Sequence, residues 1–388
     1  MKYTKPLNSV GKQRRNLLQG LALGTMGTWA GAPLAWAQPG KPASTTRSVS
    51  VAQVVDMSPS QIDVSKDFLI GARAAWTDIN SKGGVRGLPV QHLVLETDGT
   101  PASTQRAIET LRATPNCIAA FGTVGSLSAQ QLSVDLTKQL PELPHIAPWL
   151  QDTEGSIPES TFPIFAGRRE QMQHALKTLS TMGIDQVGVV FGNPVERVSL
   201  QPEIERMTRS LAVRPVMYPA NDLQRLGQSF GADTPRVLLF VGGTPELLAL
   251  AQGIGKQAQQ RYVVALSDVN VLTLQQSGLS RHVAVIATQV VPLVNGQATL
   301  VRQYRDTMGR LYDEPPTPQS LAGFTAARYT YETLRQVEGT LSRAAVMATL
   351  QQRKAIDLGG FQVSAAGTKR SGSFVTQSML ASDGRFIG

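Results

Sequence analysis

The sequence predicts an α/β protein with two lobes, each a doubly wound and mainly parallel sheet with helices on both faces. The first observation is that short β-rich segments alternate with segments whose apolar residues recur every three or four positions. The second is that this alternation restarts after a loop-like stretch at residues 151–163. The third is the length of 388 residues, which suits two domains at roughly 100–200 residues each.

In the first half of the chain, four predicted strands are separated by three predicted helices. The clearest helix begins near Val64 and places Phe68, Ala72 and Ile79 on one face, and it ends at Gly83-Gly84. The other two helices are expected at residues 103–112 and 128–139. The strands are expected at residues 48–55, 88–95, 118–121 and 145–147.

The second half repeats this rhythm and adds a mostly helical tail. Strands are expected at residues 187–191, 213–218, 237–241, 262–266 and 283–290. Helices are expected between and after them, at residues 171–182, 202–211, 245–257, 296–311, 319–338 and 342–352. The chain closes with a β-like segment at residues 372–380. Parallel strands joined through helices require right-handed crossovers, so each lobe is predicted to be doubly wound.

The first 37 residues have the layout of an export signal. A basic start ending at Arg14-Arg15 is followed by a weakly apolar run and by the small-residue pattern Ala35-Trp36-Ala37. The paired arginines resemble a twin-arginine signal, while Gln13 and Leu18 depart from that motif, so general secretory export is the open alternative. We expect cleavage before Gln38, a flexible leader at residues 38–47, and a soluble mature protein in the periplasm.

Charge and composition exclude several other classes of protein. The net charge of +9 includes +5 from residues 1–37, which leaves 32 basic against 28 acidic residues, or +4. That surplus is ordinary for a soluble surface and gives no reason to expect nucleic acid as a partner.

The single cysteine, Cys117, excludes an internal disulfide framework and a multi-cysteine metal site. It begins a buried strand and is interpreted as an inert core thiol, with a redox sensor as the alternative.

The candidate site follows from the geometry of parallel sheets, in which ligands bind beyond the carboxyl ends of the strands. The best such segment is residues 122–128, where Gly122 and Gly125 permit close approach of a ligand. Ser126, Leu127 and Ser128 stand at the predicted start of a helix, whose N–H groups attract a carboxylate. The alternative is that the serines only cap that helix.

Other strand ends supply the remaining candidates. Ser58 follows the first strand, and Trp149, Leu150 and Gln151 follow the fourth. In the second lobe, Phe191 ends a strand, and Asp268 follows another as a partner for a ligand cation. Trp149 and Phe191 are interpreted as apolar walls of a pocket. The alternatives are that Trp149 packs in the core and that Asp268 caps a turn.

An ordered set of motifs resembles the periplasmic branched-chain amino-acid-binding proteins, the type I solute-binding components of ABC transporters. Gly71 to Gly87, GARAAWTDINSKGGVRG, is similar to that family's signature G-x-x-x-A-x-x-x-I-N-x-x-G-G-V-x-G. Further matches lie at residues 120–126, 143–148, 289–292, 323–328, 358–361 and 383–386. Gln289 and Phe324 join the candidate site because they stand on two of these motifs.

The resemblance implies a Leu/Ile/Val-binding-like fold, in which a hinge of three crossings joins the lobes and closure traps the ligand. Carried over to this chain, lobe one is residues 48–165 plus 292–368, and lobe two is residues 166–291 plus 369–388. It also implies a monomer, an ABC transporter permease as partner and a small carboxylate-bearing solute as ligand. A ligand-sensing module for a membrane receptor is the alternative.

Departures from the family pattern bear on the ligand. Leu150-Gln151 replaces the family's Ala-Thr, Gly192-Asn193-Pro194 brings no acid until Glu196, and Ala322 replaces a glutamate. Asp268 is then the main partner left for a ligand ammonium, so binding of leucine, isoleucine or valine is not expected. A carboxylate that lacks the amino group, or an aromatic or short organic acid, is at least as well supported by these departures.

Catalysis has little support in the sequence. The nucleophile elbow G-x-S-x-G, the phosphate loop and the zinc motif H-E-x-x-H are absent. The four histidines, His92, His145, His174 and His282, are scattered without ligand spacing. We therefore expect a binding protein with no catalytic residue, cofactor or metal.

Overall fold

Two sheets with helices on both faces form the fold. The computed structural model describes residues 48–149, 157–219, 221–278, 282–365, 374–381 and 386–388, with Ser126 and Phe386 described by their backbone alone. The predicted export signal and leader lie outside the described residues. The α/β class with two parallel-sheet lobes is confirmed.

The first sheet has five parallel strands in the order β2-β1-β3-β4-β5. We call this sheet, with the helices packed on it, lobe one. Its strands are β1 (Val49–Asp56), β2 (Val90–Thr97), β3 (Cys117–Phe121), β4 (His145–Ile146) and β5 (Thr161–Phe162). Its first three helices are α1 (Ile62–Ser81), α2 (Pro101–Arg112) and α3 (Ser126–Gln139). Because β1 lies between β2 and β3 and all three strands are parallel, the loops after them meet at the carboxyl edge of the sheet.

The second sheet has seven strands in the order β14-β13-β10-β9-β8-β6-β7 and defines lobe two. Its parallel strands are β6 (Gln186–Phe191), β7 (Arg214–Met217), β8 (Val237–Val241), β9 (Arg261–Ala265) and β10 (Val283–Gln289). Its helices are α4 (Arg168–Thr181), α5 (Pro194–Ser210), α6 (Leu223–Ser229), α7 (Thr244–Ile254) and α8 (Val271–Gln276). Two antiparallel strands, β13 (Thr376–Leu380) and β14 (Phe386–Ile387), return from the end of the chain.

The segment between β10 and β13 belongs to lobe one, so the chain passes between the two sheets three times. This segment contains α9 (Thr299–Leu311), α10 (Pro318–Gln336), α11 (Arg343–Gln351) and a small hairpin of β11 (Ile356–Asp357) with β12 (Gln362–Val363). Its apolar residues share one core with β1 and α1. Lobe two has two separate cores, one on each face of its sheet.

Two glycines allow α1 and α10 to pack in close contact. A Cβ atom on Gly71 would lie 1.7 Å from Ser320 O, and one on Gly323 would lie 1.8 Å from Phe68 O. Both distances are far below van der Waals contact, so each position requires glycine. These residues stand in two of the motifs that carry the family resemblance, which therefore includes a packing requirement.

Hydrogen bonds to α10 and α1 hold the loop after β9, residues 267–270, against lobe one. Gln319 on α10 donates from Nε2 to Ser267 O at 3.2 Å and to Val269 O at 3.0 Å. Asn270 donates from Nδ2 to Asp67 Oδ2 on α1 at 2.9 Å. Burial raises the pKa of Asp67. These bonds fix where residues 267–270 approach lobe one.

Several element boundaries differ from the sequence predictions. Helix α5 begins at Pro194 rather than Pro202, because Asn193 caps it by accepting from Glu196 N, and it continues through Pro202. Helix α3 begins at Ser126, two residues earlier than expected. The short elements α6, α8 and β5 were not predicted, since a few residues show too little periodicity to be recognised.

Candidate functional site

A cavity of about 620 Å³ lies between the two lobes, at the carboxyl ends of their strands. Each lobe contributes eight of its lining residues. Those of lobe one are Asp56, Ser58, Ser60, Gln61, Asp98, Gly99, Leu127 and Gln130. Those of lobe two are Arg168, Asn193, Val195, Glu196, Ser199, Gly243, Glu246 and Asp268. Its volume is in the range of pockets that enclose small organic ligands.

Asp56, the last residue of β1, places a buried carboxylate beside the start of α3. Its Oδ2 accepts from Ser128 Oγ at 2.8 Å, and its Oδ1 accepts from Ser58 N at 2.9 Å. Gly125, with φ of 105°, makes room for it, since a Cβ atom there would lie 2.4 Å from Asp56 Cβ. Gly125 was expected to admit a ligand, and in the structure it admits a side chain of the protein itself.

Asp98 supplies a second carboxylate from lobe one, after the end of β2. Its Oδ1 accepts from Thr100 N at 3.0 Å and from Thr100 Oγ1 at 2.6 Å. Hydrogen bonds from Ser103 and Thr100 lower the pKa of Asp98. Asp98 therefore carries a negative charge at neutral pH.

Lobe two adds two carboxylates from the first turns of helices. Glu196 lies in the first turn of α5 and Glu246 in the first turn of α7. A helix N-terminus favours a carboxylate, which is why these positions suit glutamate. The loops that carry them touch, since a Cβ atom on Gly192 would lie 3.0 Å from Gly242 Cα. Sequence reasoning expected few acids here, and the structure shows that expectation to be wrong.

Arg168 is a charged residue of the cavity lining that sequence reasoning missed. It is the first residue of α4, and its side chain is only 6% exposed. Its Nε donates to Asp268 Oδ2 at 2.6 Å, and its Nη2 lies 3.2 Å from Glu196 Oε1. A cation in the first turn of a helix opposes the helix dipole, but the helix was predicted to begin at residue 171, so this signal was not recognised for Arg168. Asp268, expected to pair with a ligand cation, pairs with this arginine.

The predicted site residues divide into those at the cavity and those elsewhere. Ser58, Leu127 and Asp268 line it, and Ser128 lies behind Asp56. Ser126 is the first residue of α3, and its side chain is not described. Leu150 and Gln151 lie outside the described residues.

Three aromatic residues and one glutamine expected in the site lie in the protein interior. Trp149 packs against Phe68 with ring centroids 5.5 Å apart, so its alternative interpretation as a core residue fits the structure. Phe191 and Phe324 are fully buried in the cores of lobe two and lobe one. Gln289 donates from Nε2 to Ser378 Oγ on the neighbouring strand at 2.5 Å. Leu127 and Val195 supply the apolar lining that Trp149 and Phe191 were expected to supply.

His92, His145 and Cys117 have surroundings typical of residues with a structural role. His145 lies between Ser133 Oγ at 3.0 Å and Thr123 Oγ1 at 2.8 Å, and burial lowers its pKa to about 3. Burial likewise lowers the pKa of His92 to about 3, and it raises the pKa of the Cys117 thiol. Within the described ranges, no three His, Cys, Asp or Glu side chains are grouped so that they could hold a metal ion. None of the helices described is both long and apolar enough to cross a membrane.

Comparison with known proteins gives one family match and many structural matches. A family model described as "Periplasmic binding protein" matches residues 48–381. No curated protein matches the sequence.

Three solved structures illustrate the likeness, all at low identity. A possible leucine/isoleucine/valine-binding protein from Rhodopirellula baltica is 19% identical with a TM-score of 0.76, covering 90% of this chain and 98% of that one. A branched-chain amino acid transporter substrate-binding protein from Streptococcus pneumoniae, in complex with isoleucine, is 13% identical with a TM-score of 0.73, covering 88% and 98%. A fatty acid ABC transporter substrate-binding protein from Thermomonospora curvata is 13% identical with a TM-score of 0.74, covering 89% and 92%. At such identities the likeness establishes the fold.

Proposed function

The chain belongs to the periplasmic binding protein family, and from that membership we propose that it is an exported solute-binding protein of an ABC transporter. It captures one small carboxylate-bearing solute between its lobes and delivers that solute, unaltered, to a membrane permease. The observation that carries the proposal is the cavity of about 620 Å³, lined equally by both lobes. A solute that contacts both walls favours the closed arrangement, because an open one offers it only half of those contacts.

The polar lining supports a ligand that carries a carboxylate. Ser58 and Ser60 on lobe one, and Asn193 on lobe two, bring hydroxyl or amide donors to the cavity. Such groups can hold a carboxylate without a fixed positive charge. The lobes also approach each other at one edge, since a Cβ atom on Gly243 would lie 3.5 Å from Ser60 O. A small relative rotation would therefore be enough to close the cavity.

The lining selects the ligand, and the fold alone does not. The similar solved structures include a protein in complex with isoleucine and a fatty acid ABC transporter substrate-binding protein, and both have this fold. The sequence-based lobe boundaries, export to the periplasm and monomeric state remain part of the proposal. The division of elements between the two sheets supports those boundaries.

Calorimetry on the purified protein tests the proposal. A thermal-shift panel of amino acids, organic acids, amides and amines would first identify a binding solute, because a solute at ~100 times its Kd adds about 2.7 kcal/mol of stability. Titration calorimetry would then compare wild type with Ser58→Ala and with Ser229→Ala, a serine of α6 that does not line the cavity. We expect one site per chain, weakened by Ser58→Ala alone. Chemical turnover of the solute, or binding unaffected by changes in the lining, would contradict the proposal.

A further inference from the structure

The cavity carries far more negative than positive charge. Five carboxylates line it, those of Asp56, Asp98, Glu196, Glu246 and Asp268. Arg168 is the only cationic side chain among the described lining residues. The lining therefore has a formal charge of −4, from five acids and one base. The chain from Gln38 onward has a formal charge of +4, so this acidity belongs to the cleft and not to the protein as a whole.

The one cation of the lining is already engaged by the protein. Arg168 is buried, and it pairs with Asp268 at 2.6 Å and with Glu196 at 3.2 Å. A ligand anion would compete with both carboxylates for this guanidinium. Arg168 therefore fixes the arrangement of the lobe-two wall and offers little attraction to a further negative charge.

The position best suited to a ligand carboxylate in lobe one is filled by Asp56. Its Oδ2 accepts the hydrogen bond from Ser128 in the first turn of α3, and Gly125 leaves space for its side chain. A second carboxylate at this position would meet a like charge. The start of α3 thus presents a negative group to the cavity where a positive helix end was expected.

Glu246 gives an independent sign that a donor is missing. Its Oε2 atom is buried, and it has no hydrogen-bond partner within the residues that the structure describes. A buried carboxylate oxygen without a donor costs free energy, which an ammonium or guanidinium N–H of a ligand would recover. Glu246 lines the cavity, so its carboxylate belongs to the lobe-two wall that a ligand meets.

We propose that the cleft takes an organic cation, a solute that carries a carboxylate and a larger number of ammonium or guanidinium groups. Its positive groups face the carboxylates of Asp56 and Glu246, and its carbon chain lies near Leu127 and Val195. These two residues line the cavity although 74% and 77% of their surface is exposed. This inference rests on the proposed function, since it names the class of solute that the same site takes.

Four solutes of matched carbon chain separate the contributions of charge. L-lysine, L-norleucine and L-2-aminoadipate differ in the terminal group, which is positive, apolar or negative, and cadaverine lacks the carboxylate. We expect lysine to bind at least about tenfold more tightly than norleucine, cadaverine to bind more weakly than lysine, and aminoadipate not to bind. Binding should weaken as salt is added, because part of the attraction is between charges reached by solvent.

A matched pair of variants locates the binding. Glu246→Gln should lower the affinity for the cationic solute at least about tenfold, because it removes a charged hydrogen bond and nearly preserves the shape of the side chain. Glu109→Gln, an exposed glutamate of α2, makes the same change of charge outside the cavity and should leave binding unchanged. Equal loss in both variants would mean that overall charge attracts the solute, and it would overturn the inference.

The outcomes distinguish this inference from the proposed function. The cleft could instead bind norleucine, aminoadipate or another neutral or anionic solute most tightly. That result would refute the inference of a cationic ligand and leave the solute-binding function intact. Tighter binding of a calcium salt than of any amine would also refute it. Failure of every solute in the panel to bind would contradict both.

Discussion

Ser128 donates a hydrogen bond to Asp56 across 72 residues of sequence, from Oγ to Oδ2 over 2.8 Å. The bond joins the first turn of α3 to the end of β1, whose loops form the lobe-one wall of the cavity together with the loop after β2. A serine expected to hold a ligand carboxylate holds a carboxylate of the protein. This relationship changes the cleft from an anion-binding site into one that favours positive charge.

Removing the Asp56 carboxylate should shift the preference of the cleft toward anions. Asp56→Ala would uncover the start of α3, with its N–H groups and the Ser128 hydroxyl, to the cavity. We expect the variant to lose affinity for cationic solutes and to gain a thermal shift with acetate or aminoadipate, which wild type lacks. Asp56→Asn keeps the space filled, so it should lose affinity for cationic solutes without gaining a thermal shift with anions. An anion shift of equal size in wild type would contradict this account.

Arg168 should contribute strongly to stability because it is buried between two acids. Arg168→Met would leave Asp268 and Glu196 without their shared cation, and removing one partner of a buried ion pair costs about 3–5 kcal/mol. Urea unfolding followed by circular dichroism would measure the change. Arg214→Met breaks an exposed pair with Asp185 and should cost less than about 1 kcal/mol. Similar losses in both variants would contradict the structural role given to Arg168.

The two helix glycines should differ sharply in their tolerance of alanine. Gly71→Ala places a methyl group 1.7 Å from Ser320 O, so α1 and α10 must separate, and we expect a loss of at least about 1–3 kcal/mol. Gly309→Ala, at an exposed position within α9 with nothing within 4 Å, should stabilise the protein by about 0.5–1 kcal/mol. Thermal unfolding of both variants checks the pair, and a neutral Gly71→Ala would contradict the close helix contact.

Stability should fall as pH falls from about 6.5 toward about 3, partly because of His145. Its pKa is lower in the folded protein than in the unfolded chain, so the unfolded chain binds more protons in this window. Stability is therefore complete above the unfolded pKa and decreases by about 1.4 kcal/mol per pH unit for this group. Urea unfolding at several pH values would show a shallower slope for His145→Gln. An unchanged slope in His145→Gln would contradict the buried neutral histidine.

The sequence was sufficient for the fold and for several of the residues that line the cavity. Strand and helix periodicity located most elements, and the strand ends that carry Ser58, Leu127 and Asp268 do meet at the cavity. The direction of each side chain was not predictable, because it depends on strand register and on packing partners far along the chain. Trp149, for example, was expected at the cavity and lies in the core. Arg168 and Asp268 form a pair although 100 residues of sequence separate them.

Hydrogen exchange with and without a binding solute tests the central claim most directly. If the solute lies between the lobes, it should slow exchange in the segments of both walls together, namely residues 56–61 and 125–130 in lobe one and residues 193–199 and 243–247 in lobe two. Helices that do not line the cavity, such as α2 and α6, should exchange at the same rate with and without the solute. Protection confined to one lobe, or located away from these four segments, would contradict a solute held in the cleft.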